Sequence, residues 1–278
     1  MNELAEEIDR IWARALADTP MIRYSVPEER QREYWSKASR NYDEHSEDTV
    51  RGYSELLRRL WEDGTVRRND DVLDIGSGTG LFSLPMAKVV SALTALDRSP
   101  EMIEELSRKA GGANNISTVN EDWARFVPSR RYDLVFSSFC PAVYNLRSML
   151  RMEACSKRDC CMVAMRDGTE PYFPHLALTK VTGDVLDGSG LSLTYAIRIL
   201  EALEREWDIE VATICSRMDA PAEEVLTKHL EYFSMLMDMD EAKVAVLKGL
   251  INEHTSADGT FKFTVHKKIA ALHWRVPR

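Results

Sequence analysis

Three glycines at alternate positions, Gly76, Gly78 and Gly80, stand just after Asp74 in the stretch VLDIGSGTGLFSLPMA, residues 72–87. A short apolar run, a glycine turn and a helix bring backbone N–H groups and a helix N-terminus to the carboxyl edge of a sheet, where open α/β folds bind ligands. Glycine lets the backbone approach a ligand with no Cβ in the way. The spacing is G-x-G-x-G, with Ser77 inside it; a dinucleotide fingerprint would want Gly or Ala at 81, where Leu81 stands, and the Gly-Lys-Ser/Thr of a phosphate loop is absent. Asp74 is placed to face a ligand's ammonium group, the alternative being a cap on the turn. Asp97 ends the run ALTALD, where a carboxylate can accept from both hydroxyls of a ribose. Ser99 already serves as the helix cap beside it. Glu121-Asp122-Trp123 follow the run ISTVN, so an acid there can accept from an adenine amino group while its neighbours flank the ring. Trp123 reads equally well as a core aromatic.

The elements that position these residues follow from periodicity. Strands are expected at 72–75, 92–97, 116–120, 132–138, 160–165 and 209–215, alternating with helical segments, and the run FKFTVHKKIAALHWRV (261–276) reads as the antiparallel closing strand. That alternation predicts a parallel sheet with helices on both faces. The helix after the second strand has Ser99 as cap, Pro100 and Glu101 in its first turn and Gly111-Gly112 at its end. The first seventy residues are helical in pattern: Ile8, Trp12 and Leu16 recur at helical spacing, as do Tyr53, Leu56, Leu57, Leu60 and Trp61. Between them a polar segment embeds Tyr34, Trp35 and Tyr42. Aromatics on so charged a helix read either as anchors that pack it against its neighbours or as a cover over the pocket. Leu193, Ile197, Leu200 and Leu203 mark a further helix, and 221–236 and 240–253 two more. The expected organisation is a helical N-terminal cap, residues 1–66, followed by one α/β domain, 67–278, with inserts near 168–190 and 221–253, the latter a C-terminal helical insert.

Composition narrows the function classes. A formal net charge of −9 disfavours nucleic acid as the main partner, because a phosphate backbone asks for a basic face. No apolar run reaches the ~20 residues of a membrane span, so no membrane partner is expected. Five cysteines without a C-x-x-C pair, and a charged N-terminal stretch unlike a signal peptide, predict reduced thiols and a cytoplasmic location. The six histidines show no zinc-type spacing, and no metal is expected. His45 and His175 fall in segments that border the pocket and are the candidate bases. Cys140 is a candidate nucleophile whose alternative is a buried small apolar side chain.

VLDIGSGTG, ALDRSPEMI, NEDW and YDLVFSS occur in the order and spacing of the class I S-adenosylmethionine-dependent methyltransferases, which residues 70–165 resemble strongly and the remainder weakly. The resemblance implies a Rossmann-like, seven-stranded, mostly parallel sheet with its last strand antiparallel, and S-adenosylmethionine as cofactor. It implies that Asp74, Gly76, Ser77, Gly78 and Gly80 line the methionine part and that Asp97 holds the ribose. Arg98 and Met102 would lie near the adenosine, Asp122 and Trp123 at the adenine, and Ser137 and Ser138 near the sulfonium and the acceptor. The NYD at 41–43 is similar to an aromatic element that covers the cofactor, which makes Tyr42 a further contact. The fourth strand continues SSFCPAVYN rather than Asn-Pro-Pro-Tyr, and the aspartates that hold magnesium in catechol-type members are missing. The stretch SSFCPAV, the late insert and the HWR ending resemble an uncharacterised bacterial and archaeal branch.

The expected activity is in-line methyl transfer to a small molecule, which needs alignment and exclusion of water more than any one catalytic residue. The alternatives are a non-catalytic cofactor-binding protein, a nicotinamide oxidoreductase, which Leu81 and the acids at 121–122 disfavour, and a nucleic-acid methyltransferase, which the charge and the fourth-strand pattern disfavour.

Overall fold

A computed structural model describes residues 2–39, 47–166, 172–184 and 188–277. The apolar runs become strands β1 (Asp71–Ile75), β2 (Ala92–Asp97), β3 (Ile116–Asn120), β4 (Tyr132–Ser138), β5 (Ser156–Met165), β6 (Trp207–Pro221) and β7 (Thr260–Arg275). They form one sheet of seven strands in the order β3-β2-β1-β4-β5-β7-β6. Every pair from β3 to β5 is parallel, and β7 is antiparallel to both β5 and β6. The order reverses between β1 and β4, which puts the switch point, and its crevice, beside the glycine turn that follows β1.

Period-two alternation divides the sheet residues between two cores. Leu73, Ile75, Val135 and Met162 face α1 (Glu3–Ala17), α7 (Leu146–Cys155) and α9 (Thr194–Ala202). Val72, Leu93, Leu134 and Phe136 face α4 (Glu47–Glu62), α5 (Ser83–Ala87) and α6 (Pro100–Ala110). The α6 caps match their sequence signals: the Ser99 side chain accepts from Met102 N, and Gly111 takes the left-handed conformation, φ 59°.

The N-terminal helices differ in how deeply they are buried. Trp12 Nε1 donates to Gly190 O at 2.8 Å and Asp9 Oδ1 accepts from Leu146 N at 2.7 Å, so α1 is tied across the α7–α9 layer. On α4, Gly52 lies so close to β6 that an added Cβ would fall 2.1 Å from Ile214 Cγ2, and Arg59 Nη1 donates to Val211 O at 2.9 Å. The short α2 (Pro20–Arg23) leads into α3 (Glu28–Ala38), which has no fully buried side chain and rests on α6 and on α10 (Ala222–Leu236).

Two strands run further than their apolar runs. β5 begins at Ser156 rather than at 160, because its polar first residues are held by ion pairs: Arg158 bonds Asp70 at 2.6 and 2.9 Å and Asp159 at 2.6 Å. β6 continues past Cys215 to Pro221, paired with β7 from Thr260 to Lys268, beyond Met165, the last residue of β5. This outer hairpin is covered on one face only. Met218, Ala220, Phe261 and Phe263 pack inward while Arg217, Asp219, Lys262 and Thr264 are exposed, which hides the strand from a search for continuous apolar residues. Against the covered face lie α8 (Phe173–Thr182), α10 and α11 (Glu241–Glu253), giving a third apolar cluster around Phe173, Val225, Phe233, Leu247 and Ile251. These helices thus cover the hairpin beyond the carboxyl end of β5. Among the described residues no helix is long and apolar enough to cross a membrane.

Candidate functional site

The glycine turn is held by the end of β2: Gly76 N and Ser77 N both donate to Leu96 O, at 2.8 and 3.0 Å, and Gly80 N donates to Ser77 O at 3.0 Å. Gly76 has φ 70°, and a Cβ there would lie 2.5 Å from Cys140 Sγ, so no other residue fits between β1 and the segment after β4. At Gly78 the space where a Cβ would stand is open to 4 Å.

Asp74 is buried on the face that α5 covers, and its Oδ2 accepts from Ser83 Oγ. Its Oδ1 has no hydrogen-bond partner, and neither has the buried Oγ of Ser77. Burial pushes the Asp74 carboxyl up to about 7, with the charge of Asp97 adding to the rise and the Ser83 bond opposing it. A buried acid short of one partner, beside a hydroxyl short of one, is an arrangement that a cationic or hydrogen-bonding ligand group completes.

Asp97 Oδ2 accepts from Gly78 N and Oδ1 from Ser99 N, each at 2.9 Å, so one carboxylate ties the turn to the start of α6. Burial raises its pKa while these backbone donors oppose the rise. Each oxygen keeps acceptor capacity for a further hydroxyl. Met102 is buried in the first turn of α6. Asp122 Oδ1 accepts from Ala124 N at 2.7 Å, shaping the turn after β3. Trp123 is a core side chain with the Arg151 guanidinium 4.3 Å above its ring, and its Nε1 is buried without a partner.

At the end of β4, Ser137 Oγ donates to Ile75 O at 3.0 Å and bridges the two strands at the switch point, while Ser138 is half-buried. Phe139 has φ 49°, a strained conformation for a bulky residue, and donates its N–H to Val163 O at 2.8 Å. Its ring meets Tyr53 of α4, centroids 6.1 Å apart. Burial, with the charges of Asp97 and Asp74 adding to it, pushes the Cys140 thiol up to about 11. Its side chain fills the space under Gly76.

α3 reaches this edge through Arg98. Arg98 Nη2 donates to Gln31 Oε1 at 3.4 Å, and its Nη1 lies 3.9 Å from Glu28. Tyr34 and Trp35 meet edge to face at 5.1 Å, and Tyr34 lies 5.8 Å from Tyr232 of α10. His175 is in the first turn of α8, 6.1 Å from the Tyr172 ring. Tyr42 and His45 lie outside the described residues. Asp74, the glycines, Asp97, Ser137 and Cys140 thus converge on the switch point, whereas His175 belongs to α8. Ser83, Phe139 and Gln31 were not foreseen from sequence. Ser83 and Gln31 carry no local signal, and the positive φ of Phe139 has no signature in a non-glycine residue.

Residues 72–155 match the family described as Methyltransferase domain. The chain is 28% identical over 115 residues to malonyl-[acyl-carrier protein] O-methyltransferase 1 of Ilyobacter polytropus, 41% of this chain and 42% of that one. It is 33% identical over 106 residues to malonyl-[acyl-carrier protein] O-methyltransferase 2 of the same organism, 37% of this chain and 40% of that one. It is 29% identical over 112 residues to nodulation protein S of Bradyrhizobium diazoefficiens, 40% of this chain and 51% of that one. The chain therefore spans about two fifths to half the length of the curated relatives it matches. Among solved structures, a Bacillus halodurans protein assigned as a methyltransferase superposes with TM-score 0.51 at 15% identity, covering 81% of this chain and all of that one. The YcgJ protein of Bacillus subtilis gives 0.50 at 16%, covering 81% and 99%. At these identities the two structures speak for the fold.

Proposed function

We propose that this chain, whose residues 72–155 match a methyltransferase domain, is a class I methyltransferase that transfers the methyl group of S-adenosylmethionine to a small molecule. The observation that carries the reading is the pair of orphaned buried atoms, Asp74 Oδ1 and Ser77 Oγ, at the turn beside the switch point. They fit the ammonium and carboxylate end of an amino acid, and Asp97 next to them fits a ribose. The residues that would hold the cofactor are Asp74, Gly76, Ser77, Gly78 and Gly80 at its methionine part, Asp97 at its ribose, and Arg98, Met102, Asp122 and Trp123 around its adenosine.

When bound, S-adenosylmethionine supplies an electrophilic methyl carbon, and the electron pair of the breaking carbon–sulfur bond stays on sulfur. Asp74 orients the site by charge: a ligand ammonium favours its carboxylate form, so binding expels the proton that burial otherwise retains. Gly78 leaves room for close approach. Ser137 spends its proton on Ile75 O and keeps β1 and β4 in register at the reacting centre. Phe139 and Tyr53 form an apolar wall that keeps water out. The malonyl-[acyl-carrier protein] relatives are named for methylation at oxygen, but the matched domain, 72–155, contains none of α3, α8, α10 or the outer hairpin, so their acceptor is not carried over.

Calorimetry with S-adenosylmethionine, S-adenosylhomocysteine and NAD, followed by incubation with methyl-labelled cofactor and a metabolite extract, tests the reading. Binding of the first two, no heat with NAD, and label in the small-molecule fraction are expected. NAD heat without adenosylmethionine heat would overturn it. Binding without label transfer would favour a non-catalytic binder, and label in nucleic acid would replace the acceptor class.

A further inference from the structure

Lys267 is a cation in an unusual place for so acidic a chain. It lies on β7 at the carboxyl edge, two residues beyond Ile269, which pairs with Met165 at the end of β5. Its cross-strand partner is Ile214, which puts it on the sheet face that α4 covers through Gly52. Ser138, at the end of β4, pairs with Val163, and Val163 with Ala271, so Lys267 lies two strands across and four residues further out, roughly 16 Å away at about 4.8 Å per strand and 3.3 Å per residue. The residue is half-buried, and among the described residues its ammonium makes no ion pair and no hydrogen bond. Its one recorded contact is with the ring of Tyr172, 4.5 Å from the ammonium to the centroid. Burial lowers its pKa.

The surroundings are aromatic. Tyr172 precedes α8, and Tyr34 of α3 lies 5.8 Å from Tyr232 of α10, whose pKa is raised by burial and by the charges of the Tyr172 and Tyr34 phenols, so three tyrosines from α3, α8 and α10 are near neighbours. On its other side α3 reaches Arg98, at the end of β2. The tyrosine-lined wall therefore runs from the ribose end of the cofactor site to the lone lysine.

Resting on the methyltransferase reading, we propose that Lys267, seated against Tyr172, recognises a carboxylate on the methyl acceptor, whose flat or aromatic body lies along the Tyr172–Tyr232–Tyr34 wall. A half-desolvated ammonium without a partner gains from an anion what the cation–π contact alone supplies only in part. The wall offers ring faces to a planar body without demanding further hydrogen bonds. Lys267 is thus an acceptor-specificity residue: it fixes which end of the acceptor points away from the reacting centre.

The test uses full-length protein saturated with S-adenosylhomocysteine and titrated by NMR with benzoate, its neutral isostere benzamide, and phenyl phosphate. The heat of S-adenosylhomocysteine binding, measured on the same sample, reports the cofactor reading separately. We expect benzoate to bind at least tenfold more tightly than benzamide, Lys267→Met to abolish that preference, and Lys267→Arg to restore most of it. All three proteins should melt at similar temperatures, since the side chain bonds nothing else. Tighter binding of phenyl phosphate than of benzoate by tenfold or more would overturn the carboxylate in favour of a phosphate. Equal binding of acid and amide, no binding of any probe, or a preference that survives in Lys267→Met would overturn the role of Lys267. A sample that also fails to bind S-adenosylhomocysteine would instead remove the premise.

Discussion

The carboxyl edge of the sheet has two halves built on different plans. The half over β1 and β2 is made of strand ends and the turns that follow them, within residues 71–102. Its polar groups are locked by backbone donors: Asp97 holds Gly78 N and Ser99 N, and Leu96 O holds Gly76 N and Ser77 N. The half beyond β4 and β5 is assembled from α3, α8, α10 and the outer β6–β7 hairpin, which lie far apart in the chain and meet through side chains. The first half holds fixed donors and acceptors, the groups we propose meet the cofactor. The second is a wall of side chains drawn from separate elements. A fold that keeps one cofactor and varies its acceptor would be divided along this line.

The sharpest way to break the contrast is at Gly76. A side chain there must adopt φ 70° and displace Cys140, so Gly76→Val should lower cofactor affinity on the order of a hundredfold, the scale of an ångström's misplacement. Gly112→Ala is the control: φ is also positive, 81°, but nothing lies within 4 Å of the added methyl. It should cost about 1–2 kcal/mol of stability and leave affinity unchanged. Paired calorimetry and thermal melts check both.

Next in size is Asp97→Ala, expected to weaken S-adenosylhomocysteine by about 1–3 kcal/mol, the scale for stranding hydrogen-bonded partners. Because Gly78 N and Ser99 N lose their acceptor too, a small fall in melting temperature should accompany it. Unchanged affinity in a folded variant would mean that another group holds the ribose.

The contrast between the halves is also why they differ in legibility. The glycine turn, Asp97 and the Ser99 cap could be read from sequence because each depends on neighbours within a few residues, and β2, β3 and β4 end where their apolar runs do. The outer hairpin could not. SRMDA alternates polar and apolar residues because one face is solvated, and its partner strand lies some fifty residues further along the chain. Lys267 was lost for the same reason, since only the pairing with β5 puts it at the edge. The N-terminal segment was legible as helix but not in its division of labour. Its amphipathic stripes predict burial without saying that α1 and α4 cover sheet faces while α3 leans over the site.

A pH series sharpens the cofactor half. A carboxyl raised from 3.8 to about 7 by burial adds stability that is fully present below pH 3.8 and lost as pH rises through about 7. An ammonium ligand favours the carboxylate, so S-adenosylhomocysteine affinity should climb with pH up to about 7 and then level off, by at most about tenfold per unit. Asp74→Asn should bind more weakly and flatten the slope, leaving only what Asp97 contributes. Calorimetry in buffers of different ionisation heat would reveal the released proton.

The smallest expected effect is dynamic. Amides of α3, 28–38, should exchange more slowly once S-adenosylhomocysteine is bound, because that helix has no buried side chain of its own and touches Arg98. Amides of α1 and α4 should be slow in both states. Equal protection of all three without ligand would make α3 part of the scaffold.

A crystal structure of the protein with S-adenosylhomocysteine is the most direct measurement of the division. The predicted result is ligand density over Gly76–Gly80, with its amino nitrogen about 3 Å from Asp74 Oδ1, its ribose hydroxyls on Asp97, and its sulfur turned toward the space between Phe139 and the tyrosine wall. Ligand bound elsewhere, or bound at the turn with Asp74 Oδ1 still lacking a partner, would contradict it.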